Sequence, residues 1–288
     1  MNNLKANLRK TLYSYGTEPS AVILLACVWG SAVITFLTLA FILLYILWQG
    51  IPNINAGLFA LEYTTKNVSL LPAMIDTVIM VLLALIMATP LGVFAAIYLV
   101  EYAKRGNKIV NVIRVTADTL SGIPSIVYGL FGMLFFVVYL KMGYSLLAGA
   151  CTAAIMVLPL IMRTTEEALK AIPDSYREGS YGLGAGKLRT VFSIILPSAI
   201  PGILAGIILS IGRIVGETAA LIYTSGTVAA LPENVFSSGR TLAVHMYVLA
   251  SEGLYIPQAY ATAVILLIIV IAINTCSGHL ARKLMKGN

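Results

Sequence analysis

Apolar residues along this chain gather into six long runs, separated by stretches rich in charge, Gly or Pro. A helix that crosses a bilayer needs about 20 mostly apolar residues. The runs near Ala21–Trp48, Leu70–Val100, Thr119–Leu140, Ser145–Met162, Ser198–Tyr223 and Tyr260–His279 approach or exceed that length. Each is read as a helix, because a backbone in hydrocarbon must satisfy its hydrogen bonds within itself. Lys5, Arg9 and Lys10 precede the first run as in a secretory signal. Its apolar core is much longer than the roughly 7–15 residues of such a signal and has no small-residue cleavage site, so a retained helix is predicted.

The intervals carry their own information. The third and fourth runs are almost contiguous, which predicts a tight helical hairpin. Ser121-Gly-Ile-Pro124-Ser125 predicts a break or kink in the third helix. Residues 163–193 mix charges with helix formers (Glu166, Glu167, Ala168, Leu169, Lys170, Ala171) and predict a folded loop. Residues 224–257 are punctuated by Pro232, Gly239, Gly253 and Pro257.

Composition agrees with this pattern. Of 288 residues 59% are hydrophobic and 11% charged, and the mean hydropathy is +0.92. A soluble exterior cannot be built from such a chain, which excludes a soluble enzyme, a nucleic-acid module and a disordered polymer. The fold class expected is an all-α polytopic membrane protein with six transmembrane helices. The net charge of +7 would suggest nucleic acid in a soluble protein, but position explains it here. Fifteen of the 19 Lys and Arg fall in the N-terminal tail, the second and fourth loops and the C-terminal tail, while Lys66, Lys141 and Arg240 lie opposite. The positive-inside rule then places both termini in the cytoplasm of a multi-pass cytoplasmic (inner) membrane protein. No nucleic-acid partner is expected, and the lipid bilayer is the solvent.

Chemical motifs are few. HExxH, GxSxG and paired Cys/His sets are missing, and Cys27, Cys151 and Cys276 sit in apolar runs as small packing residues. Gly182-Leu-Gly-Ala-Gly-Lys187 looks like a phosphate loop but fails the pattern, with Tyr181 at the first Gly position and Leu188 at the Ser/Thr position. This chain is therefore not expected to be an enzyme or to bind a metal or cofactor. The nineteenth cation, Arg213, lies inside the fifth run, with Glu217 four residues on. On a continuous helix the two share a face and can neutralise each other. They are read either as a structural pair or as pathway residues, and intramembrane charges favour the second. Asp76 begins the second helix, read as a solvated anchor or a gating group. Glu101 and Asp118 are interfacial charges, His245 a surface or packing residue, and His279 interfacial. Gly202, Gly206, Gly212 and Gly216 recur at a spacing that suits close helix packing, with a hinge as the alternative.

The most specific signal is Glu178-Gly-Ser-Tyr-Gly-Leu-Gly-Ala-Gly-Lys-Leu-Arg-Thr-Val-Phe-Ser-Ile-Ile-Leu-Pro197. It resembles the EAA loop of ABC importer permeases, with Glu178, Gly179, Ser180, Gly184, Ile194, Leu196 and Pro197 on the motif positions; Gly and Ser stand where Ala is usual. The stretch from about Leu70 to Leu280 resembles a type I (MetI-like) permease domain. Gly212-Arg213-Ile-Val-Gly216-Glu217-Thr218-Ala219-Ala220, Thr241-Leu-Ala-Val-His245-Met-Tyr247 and Ser121–Gly129 are similar to the phosphate-specific permeases, A-type subunit. The resemblance implies an EAA loop at about 163–197 made of a short helix, a turn and a second helix. It also implies a heterodimer with a C-type permease, two copies of a cytoplasmic ATPase that bind ATP and Mg, and an extracytoplasmic binding protein for inorganic phosphate. The domain division expected is an N-terminal tail, helix and external loop (1–69), a five-helix transmembrane domain (70–282) and a cytoplasmic tail (283–288). Arg213 and Glu217 are the expected substrate-pathway residues, with Asp76, Gly212 and Gly216 in gating or packing. A permease for sulfate or molybdate, and a self-sufficient secondary carrier, are the competing readings; a carrier has no need of an ATPase-docking loop.

Overall fold

The computed structural model describes residues 19–104 and 106–286. Lys5, Arg9, Lys10 and Arg105, counted in the charge asymmetry, lie outside the described residues, as do the side chains of Arg282, Lys283 and Lys286. Two compact units are present, residues 1–49 and 50–288.

The first unit is helix α1 (Pro19–Gly50), apolar all round and exposed along most of its length. A helix with no polar face suits lipid on every side. Its few hydroxyls are satisfied internally: Ser31 donates to Val28 O at 2.9 Å and Thr35 to Ser31 O at 2.8 Å.

The second unit is a bundle around α2 (Leu71–Ile97) and α5 (Leu146–Lys170), of which α5 is the more enclosed. Their seam is built from small residues, Ala84 and Ala88 against Ala150, Ala153 and Ala154, closed by Met80, Met156 and Ile161. Close approach of backbones replaces the hydrophobic drive that lipid cannot supply. Gly92 is required there, because a Cβ would lie 2.9 Å from Ile161 Cγ2. Helix α8 (Leu196–Val215) packs on α5 in the same manner: a Cβ on Gly202 would lie 2.5 Å from Ala168 Cβ, and one on Gly206 would meet Thr164.

Among the described residues five helices are long and apolar enough to cross a membrane, and a sixth span arises if a bent pair counts as one. That pair is α3 (Lys108–Ser121) and α4 (Ser125–Gly132), the latter continued by a π-helical turn to Tyr139, with a bend of 101° at the expected Ser121–Ser125 break. Two expected spans are thereby corrected. Thr119–Ser121 belong to α3, so the expected Thr119–Leu140 run is broken at residues 122–124 and is not one straight helix; Pro124 cannot extend α3, and its fixed φ suits the start of α4. The fifth helix runs continuously from Lys187 to Val215 and stops eight residues before Tyr223. A π-helical turn at Val191–Ile195 precedes Pro197, which widens the turn whose carbonyls a proline ring would otherwise strike. The remaining helices are α6 (Asp174–Gly182), α7 (Lys187–Thr190), α9 (Ala219–Ile222), α10 (Leu242–Glu252) and α11 (Ile256–Lys286). Residues 224–257 thus contain a helix, α10, that is too short to span.

Candidate functional site

Three places in the second unit gather the chemistry. The first is the helix–turn–helix formed by α6, residues 183–186 and α7. Gly184 sits at φ +80°, a left-handed conformation that glycine adopts without strain, and nothing crowds its Cβ position. Ser180 and Thr190 share a buried hydrogen bond of 2.8 Å across the turn, locking the two helices together. Tyr176, Glu178, Gly179 and Tyr181 face outward, and Leu183 at the tip is 91% exposed. Ile194, Leu196 and Pro197 are half-buried where α7 runs through its π turn into α8.

Arg177 fastens this hairpin to the bundle. Its Nη2 donates to Glu101 Oε1 at 2.6 Å and to Leu169 O at 3.0 Å, and its Nη1 donates to Ile172 O at 3.0 Å and Asp174 Oδ1 at 3.2 Å. Hydrogen bonding to Glu101, opposed by burial and aided by nearby negative charge, pushes Arg177 above its usual range. Glu101 is therefore not the interfacial charge expected from sequence; it is 8% exposed and held in an ion pair. Asp118 does match that expectation, paired at 3.0 Å with Arg163 while both remain more than half exposed. Glu166 is buried between Arg114 at 2.7 Å and Lys170 at 2.6 Å, tying α3 to α5. A cavity of about 960 Å³ beside the hairpin is lined by Glu101, Lys104, Lys108, Arg114, Arg177 and Lys187.

The second place is where the interrupted helices meet. Tyr128 donates its hydroxyl to Leu120 O at 2.7 Å, a second donor to the carbonyl that Ile123 N–H reaches at 3.1 Å across the α3–α4 break. Gly129 lets α4 lie directly on α9, since a Cβ would sit 2.9 Å from Ala220 Cα. Arg213 is half-buried on the last turn of α8, close enough for its charge to act on Tyr128. The expected face-sharing with Glu217 fails, because α8 ends at Val215 and Gly216 turns the chain. Glu217 is buried and accepts the Ala220 N–H at 3.0 Å, capping α9. Among the described residues the ion pairs do not include Arg213 or Glu217. Gly212 has nothing within 4 Å of its Cβ position and Gly216 only the Gly212 carbonyl at 3.5 Å, so neither packs against another helix of this chain.

The third place is the opposite end of the bundle. Asp76 is 1% exposed, so the solvated-anchor reading is corrected: the carboxyl group lies against Gly239, where any Cβ would collide with Asp76 Oδ2. Arg240, unnoticed in the sequence except as an outer cation, is 4% exposed and stacks its guanidinium 4.9 Å over the Tyr63 ring. His245 is fully buried, edge-on to the same ring. Burial first, then the charge of Arg240, pushes its pKa down to about 3, so the imidazole is neutral. A cavity of about 610 Å³ opens here, lined by Glu62, Tyr63, Thr227, Arg240 and Glu252. Nothing in hydropathy distinguishes Arg240 from a loop cation; only the Tyr63 contact across the fold does.

The sequence pattern of binding-protein-dependent transport system inner membrane components matches residues 88–286. The chain is 35% identical over 221 residues to the probable ABC transporter permease protein YqgI of Bacillus subtilis (strain 168), covering 71% of this chain and 74% of that protein. It is 38% identical over 205 residues to the phosphate transport system permease protein PstA of Yersinia pestis, covering 67% and 68%. Among solved structures, a chain of a bacterial alginate ABC transporter in complex with its periplasmic protein superposes with a TM-score of 0.69 at 13% identity, over 92% of this chain and 95% of that one.

Proposed function

The chain belongs to the binding-protein-dependent transport system inner membrane components, and from that membership we propose that it is a permease subunit of an ATP-driven inorganic phosphate importer. The observation that carries this reading is the exposed α6–α7 hairpin, rigid within itself and continuous with the helix that bears Arg213. A secondary carrier has no use for such a surface. The similarity to the phosphate transport system permease of Yersinia pestis supports phosphate as the substrate.

In this reading the hairpin faces the cytoplasm and docks on an ATPase, with Glu178, Gly179 and Gly184 at the contact, Ser180 holding the hairpin together beneath it, and Ile194, Leu196 and Pro197 passing its motion into α8. ATP and Mg are held by two copies of that partner, and this chain carries no catalytic group or cofactor. A C-type permease completes the pathway, and an extracytoplasmic binding protein delivers phosphate to the face that carries Arg240. Both termini are cytoplasmic. Residues 70–282 form the transport domain, preceded by the added α1 segment (1–69) and followed by a short tail (283–288). Arg213 offers the planar fork that matches a phosphate oxyanion, and Glu217 shapes the chain beside it.

The experiment is uptake by proteoliposomes containing this chain, its partner permease and the ATPase, with the binding protein and ATP supplied. Phosphate accumulation that depends on ATP and survives excess sulfate or molybdate is expected. Uptake of either rival anion instead of phosphate overturns the substrate, and uptake by this chain without an ATPase overturns the importer.

A further inference from the structure

The EAA hairpin reaches α8 through the continuous backbone, but α2, which packs along the whole of α5, has no covalent link to it nearby. We propose that Arg177 is the positioning residue that makes α2 move with the hairpin, by clamping Glu101 at the end of α2. This rests on the importer reading and deepens it, naming the joint through which ATPase motion and pathway motion are tied.

The geometry is that of a joint. One guanidinium on α6 holds Glu101 by Nη2 at 2.6 Å and Nε at 3.2 Å, and takes the carbonyls of Leu169 and Ile172 at the end of α5 at 3.0 Å each. Those carbonyls belong to a helix C-terminus and its first turn outward, where acceptors lack helical partners and a cation is favoured. Three elements therefore converge on one planar group whose donors are directed in a fixed fork. The Arg177 and Glu101 side chains are 14% and 4% exposed, so water screens the contact little. Lys187, the first residue of α7, adds a softer hold 5.0 Å over the Tyr102 ring, next to Glu101.

The ends being joined are built to shift. Glu101 lies in a π-helical turn, Tyr98–Tyr102, and α7 enters α8 through another, Val191–Ile195. Wide turns of this kind concentrate at functional sites and interrupt the regular α ladder. Ser180 and Thr190 bind each other across the hairpin and hold its two helices together. A displacement of the hairpin thus passes into α8 along the chain and into α2 through Arg177, so both helices change together. Without the clamp α8 would move alone.

The test uses the full complex in proteoliposomes with binding protein, reading ions moved per ATP hydrolysed. Arg177→Gln is expected to lower that ratio at least fivefold while the complex still copurifies with its ATPase. Arg177→Lys keeps the charge but cannot serve the carboxylate and both carbonyls at once; Glu101→Gln keeps an acceptor without the charge. Both should fall between wild type and Arg177→Gln. Hydrogen exchange of residues 98–102 should respond to nucleotide trapping in the wild type and lose that response in Arg177→Gln. A purely structural role would reduce yield and leave the ratio alone. A wild-type ratio in assembled Arg177→Gln overturns the proposal, as does loss of assembly in Arg177→Gln with wild-type ratios in the other two variants. If the wild type moves sulfate instead of phosphate, the substrate reading fails and the ratio is read with sulfate, so the two failures are distinguishable.

Discussion

Arg213 lies two residues before its helix ends, with no carboxylate in ion-pairing range among the described residues. An unpaired guanidinium at membrane depth is costly unless something mobile offsets it, and an oxyanion in transit does so. Arg213→Gln should cut phosphate uptake by tenfold or more, about 1.4 kcal/mol of barrier, and Arg213→Lys should recover part of it, read in proteoliposomes with the complex intact; normal uptake in Arg213→Gln would make this arginine structural. Glu217 now has a different expected signature from a paired charge. Because its carboxylate oxygen caps α9 through Ala220 N–H, Glu217→Gln retains an acceptor and should keep the stability of the purified protein, while Glu217→Ala should lose about 1 kcal/mol. If both lower uptake but only the alanine variant lowers Tm, charge and cap are separate functions of one residue. His245 gives a pH test. Its pKa is about 3 when folded and about 6.5 when unfolded, so below pH 6.5 the unfolded chain binds a proton that the folded one refuses. Its contribution to stability is present above that value and is lost as pH falls toward 3, by up to about 1.4 kcal/mol per pH unit. Thermal unfolding in detergent between pH 7 and pH 5 should show this slope, and His245→Gln should flatten it.

At the scale of elements, the hairpin motif was legible because it is local: the resemblance of residues 178–197 to the EAA loop implied a short helix, a turn and a second helix, and α6, the turn and α7 occupy those positions. The Ser121–Ser125 break was legible for the same reason, since Pro124 acts on its immediate neighbours. The early end of α8 was not, because Gly216 and Glu217 sit in an apolar run with helical periodicity; a stop there depends on Gly129 admitting α9 against α4, a contact between distant segments. Nor do the π turns at Tyr98–Tyr102 and Val191–Ile195 leave a hydropathy signature. At Gly184 the Cβ position is empty, and the constraint is the backbone conformation at φ +80°. Gly184→Val should therefore impair uptake severalfold through backbone strain, whereas Gly184→Asn, which tolerates the left-handed region, should largely preserve it. Equal damage by both variants would show that the partner's surface, and not the backbone, rejects a side chain there.

On the scale of the whole molecule, two ends of the bundle differ in kind. One carries two sets of ion pairs, Arg114–Glu166–Lys170 and Arg177–Glu101. The other carries Arg240 and His245 withdrawn from solvent around Tyr63, with Asp76 buried against Gly239. The second arrangement was invisible from composition, because burial of charge is a property of tertiary neighbours, whereas the first follows from the same loop cations that set orientation. Orientation supplies the remaining test. A lysine-rich face is retained in the cytoplasm during insertion, and Lys104, Lys108, Lys170 and Lys187 all lie at the hairpin end, with Lys108 and Lys187 beginning α3 and α7. The bent pair must then count as one crossing: if α4 turned back without traversing, every later segment would be inverted and the hairpin would lie on the side opposite Glu101, to which its Arg177 is bonded. Reporter fusions after Lys108 and Lys187 should therefore both read cytoplasmic, and fusions at Asn55 and Asn234 external. A cytoplasmic signal at Asn234 with Lys187 also cytoplasmic would mean that α8 does not cross, and would remove Arg213 from any pathway through the membrane.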